Sequence, residues 1–509
     1  MPAVYRKFNP SKPIARLTAT VLMMCAGIHG QSVTASSGSP QAIPQNVVAV
    51  KLVLTQQADV SGAFQLTTKA QRGQYVYDVL TQTAQQSQAS LLEAVNQMGL
   101  IGNGFYIANF VLVQAPAGTK ISTTQLQQLV SRPEVSTAES VYSFNTQLPG
   151  VSLPPITSLP LGRGLEKNLA FINAPAVWAQ GAQGQGITIG VVDSGVQWDH
   201  RLLKGHYRGL LGTGANHNYN WWDAVHTTFT GGTNPCGVSS AVPCDDLGHG
   251  THVTGAAVGG NFRDYQIGVA PEARFMACRD MDRGYASTGT AFEECMQFML
   301  APWNLQGQNP DPSKAPDLVV HPYHCYASGA NCIDDPVMHA VYWNLYAAGI
   351  TSIVAGEDSG AICNSLTNWP QNYAVAITAG ALGYDPDSGM PLSTLASYSN
   401  AGPGNTATIF RPDIAAPGTQ ILSAVPGGNV APMSGTSVAA AQLAGAFALV
   451  LSVRPTLQGR PEQMWRLVSA AIPQWLQIGT CGSPASSPNY LYGWGNLDVS
   501  AMLAMANTQ

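Results

Sequence analysis

Apolar and polar positions along the chain fall into two groups of regular blocks, one on each side of a Pro-rich stretch at residues 148–164. In the first group, residues 47–54 (VVAVKLVL) read as a strand. From Tyr75 to Met98 the apolar positions Val79, Leu80, Ala84, Leu91, Leu92 and Val95 make a broken helical stripe. Phe105 to Val113 reads as a strand, Thr123 to Val130 as a short helix and Val135 to Phe144 as a last strand. That succession suits a small ferredoxin-like α/β unit over residues 47–147.

The second group begins with a lead-in helix at Leu165 to Trp178, followed by a continuous apolar strand at 186–192. Thr290-Ala291-Phe292-Glu293 has the form of a capping box, and Phe292, Cys295, Met296, Met299 and Leu300 continue it as a helical stripe. Asp335-Pro336 opens another helix that stops at Gly349, and Ile350 to Ala355 follows as a strand. An apolar run of helical length extends from Ser437 to Leu451. Strands alternating with helices predict a doubly wound, mostly parallel α/β sheet with right-handed crossovers over residues 165–509.

Composition narrows the class. Of 509 residues, 45% are hydrophobic and only 10% charged, with a net charge of −5 and no basic run. A large core is therefore possible, and nucleic-acid binding has no electrostatic footprint. Arg6, Lys7, Lys12 and Arg16 precede the short apolar stretch at 17–27, the pattern of a secretory signal peptide over residues 1–30. It is too short to span a membrane, and no later stretch reaches spanning length without a polar break. Residues 31–46 read as a disordered spacer. The expected location is extracellular or periplasmic, where cysteines pair. Cys25 falls in the leader, which leaves eight cysteines. Sequence does not dictate their pairing. Close spacing suggests Cys236–Cys244, Cys278–Cys295 and Cys325–Cys332, with Cys363–Cys481 remaining.

Three stretches carry complementary chemistry. Ser437 sits among small residues (Ser434-Gly435-Thr436-Ser437-Val438-Ala439) at the start of an apolar helix. Unsatisfied N–H groups there favour an anion, so its hydroxyl could attack a carbonyl while its own N–H holds the oxyanion. Alone, the stretch reads better as a Ser/Thr cap on a core helix. Asp193 closes a buried strand, at the edge where open α/β sheets place their sites. His249, flanked by Gly248 and Gly250, opens a second small-residue helix. A serine nucleophile needs a base, and the base needs a carboxylate. The chain order Asp, His, Ser is one of the known orders of that triad.

These residues resemble subtilases, the subtilisin-like serine peptidases, and within them bacillopeptidase F-like secreted bacterial enzymes. The shared phrases are Val192-Asp193-Ser194-Gly195-Val196-Gln197-Trp198, Gly248-His249-Gly250-Thr251-His252-Val253-Thr254-Gly255 and Ile267-Gly268-Val269-Ala270-Pro271. Leu300-Ala301-Pro302, Arg411-Pro412-Asp413-Ile414-Ala415-Ala416-Pro417-Gly418 and Ser434-Gly435-Thr436-Ser437 complete the set. The resemblance runs from about Gly164 to the C-terminus. A weaker likeness upstream implies that residues 47–147 are a prodomain that chaperones and inhibits the enzyme, with 148–164 as the linker to be cut. It implies Asp193, His249 and Ser437 as catalytic residues, polypeptides as substrates and no cofactor in the chemistry. Structural Ca²⁺ occurs among relatives, but no ligand cluster stands out here.

The chain departs from the family pattern in three places. Relatives carry an Asn after a strand ending Ala-Gly, and its amide donates to the oxyanion. Here Ala355-Gly356 is followed by Glu357, or by Asp358 if the loop shifts by one. An ionised carboxylate accepts hydrogen bonds only and would repel the oxyanion. In the substrate-binding strand, relatives read Asn-Ser-Trp-Gly where this chain has His321-Pro322-Tyr323-His324 before Cys325. The expected substrate-binding positions are thus Tyr323, His324, Ala355 and Gly356. A metal site at His321, His324 and Cys325 is the minor alternative, and no metal is expected. After Ser437, relatives have Pro-His where this chain has Ala441-Gln442, so the helix start can relax. The expected function is a secreted serine endopeptidase made as a zymogen, of weak or acid-shifted activity. Its rivals are a catalytically impaired pseudo-peptidase that binds rather than cuts, and an acyl-transferase or peptide ligase.

Overall fold

A computed structural model describes residues 47–141, 164–227, 234–283, 285–286, 290–323, 325, 335–360, 362–385, 387–403, 410–473, 481 and 484–508. The expected leader, spacer and nearly all of the linker lie outside the described residues, as does His324.

The N-terminal unit contains β1 (Ala49–Leu54), α1 (Lys69–Gln97), β2 (Ile101–Phe105), β3 (Phe110–Gln114), α2 (Thr123–Val130) and β4 (Val135–Ser140). Its strands form one antiparallel sheet in the order β2-β3-β1-β4. The single strand expected at 105–113 is the end of one strand, a turn and the start of another. Gly102 and Gly104 hid β2 by giving it the look of a turn. Both lie beneath α1: a Cβ on Gly102 would stand 2.9 Å from Leu92 Cδ2, and one on Gly104 2.1 Å from Gln88 Oε1. Gln88 breaks the helical stripe for a reason. Its buried amide donates to the Phe105 carbonyl (2.9 Å) and to Asn109 Oδ1 (2.8 Å), tying the hairpin to the helix. Helix α1 starts six residues ahead of the expected Tyr75, at a Thr68–Gln71 capping box.

The larger unit opens with two short helices, Lys167–Phe171 and Ala174–Trp178, in place of one, because Asn173 between them is left-handed with φ 60°. In chain order follow β5 (Thr188–Asp193), β6 (Trp221–Asp223), α3 (His249–Val258), β7 (Arg274–Arg279), α4 (Ala291–Leu300) and β8 (Leu318–His321). Then come α5 (Pro336–Ala347), β9 (Thr351–Ala355), β10 (Ala376–Tyr384), β11 (Pro391–Leu395), β12 (Ile414–Pro417) and α6 (Thr436–Val453). The sheet order is β11-β10-β9-β8-β5-β7-β6, with β12 on β10, and every pairing is parallel except β10–β11. The strand order reverses at β5, which pairs with β7 on one side and β8 on the other. Such a switch point opens a crevice at the C-terminal edge, here beside Asp193.

Helices α3 and α6 cover one face, and α4 and α5 pack in a separate core on the other. By length and composition α6 could cross a membrane, but it is the buried centre of this unit. Its alanines and Gly445 let neighbours approach closely: a Cβ on Gly445 would meet Val269 Cβ at 2.6 Å and the Ala257 carbonyl at 2.9 Å. Disulfides join Cys236–Cys244, Cys278–Cys295 and Cys363–Cys481. Cys325 is also disulfide-bonded, to a partner outside the described residues.

The two units share a core. Val76, Leu80, Phe105, Ile107 and Phe110 cluster with Phe292, Met296, Val341 and Leu345. The turn after β2 seats between α4 and α5: Tyr106 N–H donates to Gln297 Oε1 (2.7 Å), and Asn344 Nδ2 donates to the Ile107 carbonyl (2.6 Å). The expected Thr290–Glu293 capping box does not form. Glu293 is fully buried and accepts from Lys51 Nζ of β1 instead. A lone buried ammonium outcompetes a helix N-terminus for that carboxylate, because its desolvation cost is far larger.

Candidate active site

Asp193 is the last residue of β5 and is buried. Its Oδ1 accepts from the Ser194 N–H at 2.6 Å. His249 is the first residue of α3 and stands with Nδ1 2.8 Å from both Asp193 oxygens. A carboxylate only accepts, so Nδ1 carries the hydrogen and Nε2 is the basic nitrogen. The close approach requires Gly250: a Cβ there would lie 2.1 Å from the Gly195 carbonyl and 3.0 Å from Asp193 Cβ.

Sequence reasoning missed Asp245. Gly248, the N-cap of α3, has no side chain to cap with, and Asp245 takes over that role. Its Oδ1 accepts from the N–H groups of Leu247 (3.1 Å) and Gly248 (2.7 Å) and from Ser194 Oγ (2.9 Å). Its Oδ2 accepts from the Thr251 N–H (2.8 Å) and hydroxyl (2.5 Å). One carboxylate thereby locks the start of the His249 helix to the residue after Asp193. The signal was an acidic residue just ahead of a small-residue helix. Burial opposes a charge on His249, but Asp193, Asp245 and Asp358 together hold the imidazole above its usual pKa. His252, three residues on, goes the other way: burial lowers it to about 3, and its Nε2 bonds the carbonyls of Ile421 and Ala431.

Ser437 is the second residue of α6 and is buried. The helix starts regularly without the family's Pro. Gln442 is anchored at both ends of its amide, donating to the Pro417 carbonyl at 2.5 Å and accepting from Asn168 Nδ2 at 3.0 Å. Ser437 Oγ and His249 Nε2 are both buried, and neither has a hydrogen-bond partner among the described residues. Catalytic hydrogen bonds are commonly long or misaligned before substrate binds and tighten in the complex.

The loop after β9 separates the two candidate carboxyls. Glu357 adopts φ 62°. Its side chain turns into the protein, where Oε2 accepts from Asn400 Nδ2 (3.0 Å), and burial pushes its pKa up to about 8. Asp358 turns to Ser437. Its Oδ1 accepts from the Thr436 N–H at 2.8 Å. A Cβ on Gly435 would stand 2.9 Å from Ser437 Oγ and 3.0 Å from Asp358 Oδ2, so these two oxygens flank one point. Of the expected oxyanion pair, then, only Asp358 faces Ser437.

Among the expected substrate-binding residues, Ala355 ends β9 and Gly356 follows it, both with their backbones engaged. The Ala355 carbonyl accepts from Gln371 Nε2 (2.8 Å), and Gly356 N–H donates to the Ala379 carbonyl (2.9 Å). The Tyr323 ring is packed edge-on against His321, with centroids 3.8 Å apart, in the core on the α4–α5 side. His321 Nδ1 and the Tyr342 hydroxyl share a hydrogen bond of 2.6 Å. The minor metal reading loses Cys325 to a disulfide.

Comparison with known proteins agrees with this layout. The family model described as the subtilase family matches residues 184–495. Bacillopeptidase F of Bacillus subtilis (strain 168) is 30% identical over 448 residues, covering 84% of this chain and 28% of that protein. Serine protease AprX of the same strain is 27% identical over 317 residues, covering 57% and 62%. Subtilisin amylosacchariticus of Bacillus subtilis subsp. amylosacchariticus is 29% identical over 288 residues, covering 57% and 61%. The chain thus spans less than two thirds of the length of each of these relatives. A parallel sheet with its switch point at Asp193, two small-residue helices opening on His249 and Ser437, and a family match across all three lead to one assignment: the chain belongs to the subtilase family.

Proposed function

We propose that this protein is a secreted serine endopeptidase, made as a zymogen, that hydrolyses peptide bonds through Asp193, His249 and Ser437. Ser437 Oγ attacks the scissile carbonyl carbon and gives its proton to His249 Nε2. The imidazolium is stabilised by Asp193 and passes the proton to the leaving amine. Water then hydrolyses the acyl-enzyme by the reverse sequence of transfers. The Ser437 N–H supplies one oxyanion donor, and Asp358 stands at the second position. Substrate runs past the backbone of Ala355 and Gly356. The N-terminal unit, through the core it shares with α4 and α5, serves as an inhibitory chaperone until the linker is cut.

The observation that carries this reading is the contact of His249 Nδ1 with Asp193 at 2.8 Å, which leaves Nε2 as the base in a chain whose Ser437 opens a buried helix. Two measurements test it: fluorophosphonate labelling mapped to Ser437, and casein hydrolysis. Both should be abolished in Ser437→Ala. Labelling without hydrolysis of any polypeptide, or with amine-dependent ligation outrunning hydrolysis, would replace the endopeptidase reading.

A further inference from the structure

We propose that Asp358 and His249 share one exchangeable proton, and that catalysis proceeds only while Asp358 holds it, so that Asp358 sets the alkaline limit of activity. The proposal deepens the peptidase reading and rests on it.

Asp358 Oδ1 is committed to the Thr436 N–H at 2.8 Å. Its other oxygen flanks the same point as Ser437 Oγ, where a Cβ on Gly435 would stand. An oxyanion formed on a carbonyl attacked by Ser437 develops beside this carboxyl. Ionised, the carboxyl has no hydrogen to give and repels the new charge. Protonated, it donates one O–H, and with Oδ1 held by Thr436 that hydrogen sits on Oδ2.

His249 imposes the opposite demand, since it takes the Ser437 proton only when neutral. It is faced by Asp193, Asp245 and Asp358, with His252 on its own helix. Asp358 is faced by His249, with Glu357 beside it in the loop and Tyr398 across from it. Burial raises the Asp358 carboxyl, while its bonds to Thr436 and the nearby His249 pull it back. Each group feels the other's charge, so their protons are counted together.

Three proton counts then matter. With two protons, His249 is charged and there is no base. With none, the base is free but Asp358 opposes the oxyanion. With one, the proton sits on His249 in an idle ion pair or on Asp358 in the productive form. These two forms have the same proton count, so their ratio is independent of pH. In the productive form the Ser437 Oγ–carbon bond forms and the hydroxyl proton moves to Nε2. The carbonyl π pair moves onto oxygen, which accepts from the Ser437 N–H and the Asp358 O–H. On collapse the carbonyl re-forms, the C–N bond breaks and Nε2 protonates the amine. Asp358 keeps its proton throughout.

The test is kcat/KM on a peptide substrate from pH 4 to 10, using the full chain as produced, beside Asp358→Asn, Asp358→Ala and Glu357→Gln. Wild type should give a bell. In Asp358→Asn the amide oxygen keeps the Thr436 bond and the NH₂ faces the oxyanion at every pH. The alkaline limb should vanish, the acid limb should remain, and activity at pH 9 should exceed wild type by about 100-fold, the typical worth of one oxyanion donor. Asp358→Ala should also lose the alkaline limb, with a plateau about 100-fold below that of Asp358→Asn. Glu357→Gln should retain the bell. An alkaline limb that persists in Asp358→Asn and Asp358→Ala, or disappears in Glu357→Gln, overturns the proposal while Ser437 labelling keeps the peptidase reading. Wild type that neither labels at Ser437 nor cleaves peptide at any pH overturns both.

Discussion

Glu357→Gln should change how stability depends on pH, by an amount that follows from burial. Glu357 releases its proton near 4.5 in the unfolded chain and near 8 in the folded one, because burial disfavours its charge. Between those values the folded state binds more protons than the unfolded state, so stability falls as pH rises. Each pKa unit is worth 1.36 kcal/mol, so at pH 7 the wild-type carboxyl destabilises the fold by about 3 kcal/mol relative to acid pH. Gln cannot ionise, and its amide oxygen can still accept from Asn400 Nδ2. Any cost of fitting the amide nitrogen is the same at every pH and cancels when pH values are compared. The measurement is urea unfolding followed by Trp fluorescence in a Ser437→Ala background, to prevent autolysis, at pH 4.5, 6, 7 and 8. The stability of Glu357→Gln relative to wild type should rise by about 3 kcal/mol from pH 4.5 to pH 7. A difference that stays constant across this range would show that Glu357 is not desolvated in solution, and the loop conformation that buries it would be wrong.

Three other outcomes follow. Lys51→Met leaves Glu293 charged and alone in the core shared by the two units, and should destabilise the full chain by about 3–5 kcal/mol, with most of the loss recovered in Lys51→Met/Glu293→Met. Urea midpoints of the single and double variants measure this. Asp245→Ala removes the acceptor for Leu247, Gly248, Thr251 and Ser194 and lets the His249 helix shift, so kcat should fall by about 100-fold with KM little changed. Replacing both Cys363 and Cys481 by Ser opens a loop with a sequence separation of 118 and should cost about 4–5 kcal/mol, read from denaturation midpoints of oxidised wild type and variant.

The sequence by itself determined the parallel sheet, the helices after residues 290 and 335, and the three motif residues. Each is announced by near neighbours. A strand of uninterrupted apolar residues ends at Asp193, glycines bracket His249, and small residues surround Ser437. Local sterics and burial patterns act over a few residues, so a few residues suffice to read them. Tertiary structure alone decided what depends on a partner distant in the chain. Glu293 has the right spacing for a capping box, yet Lys51, 242 positions away, claims it. Gly102 and Gly104 look like turn residues until α1 is laid across them. Between Glu357 and Asp358, the choice rests on one positive φ and on which side chain meets Asn400 and which meets Thr436. Spacing offers two adjacent carboxyls after Gly356; only the packed loop decides which one faces Ser437, because a residue at positive φ changes the sides on which its neighbours point.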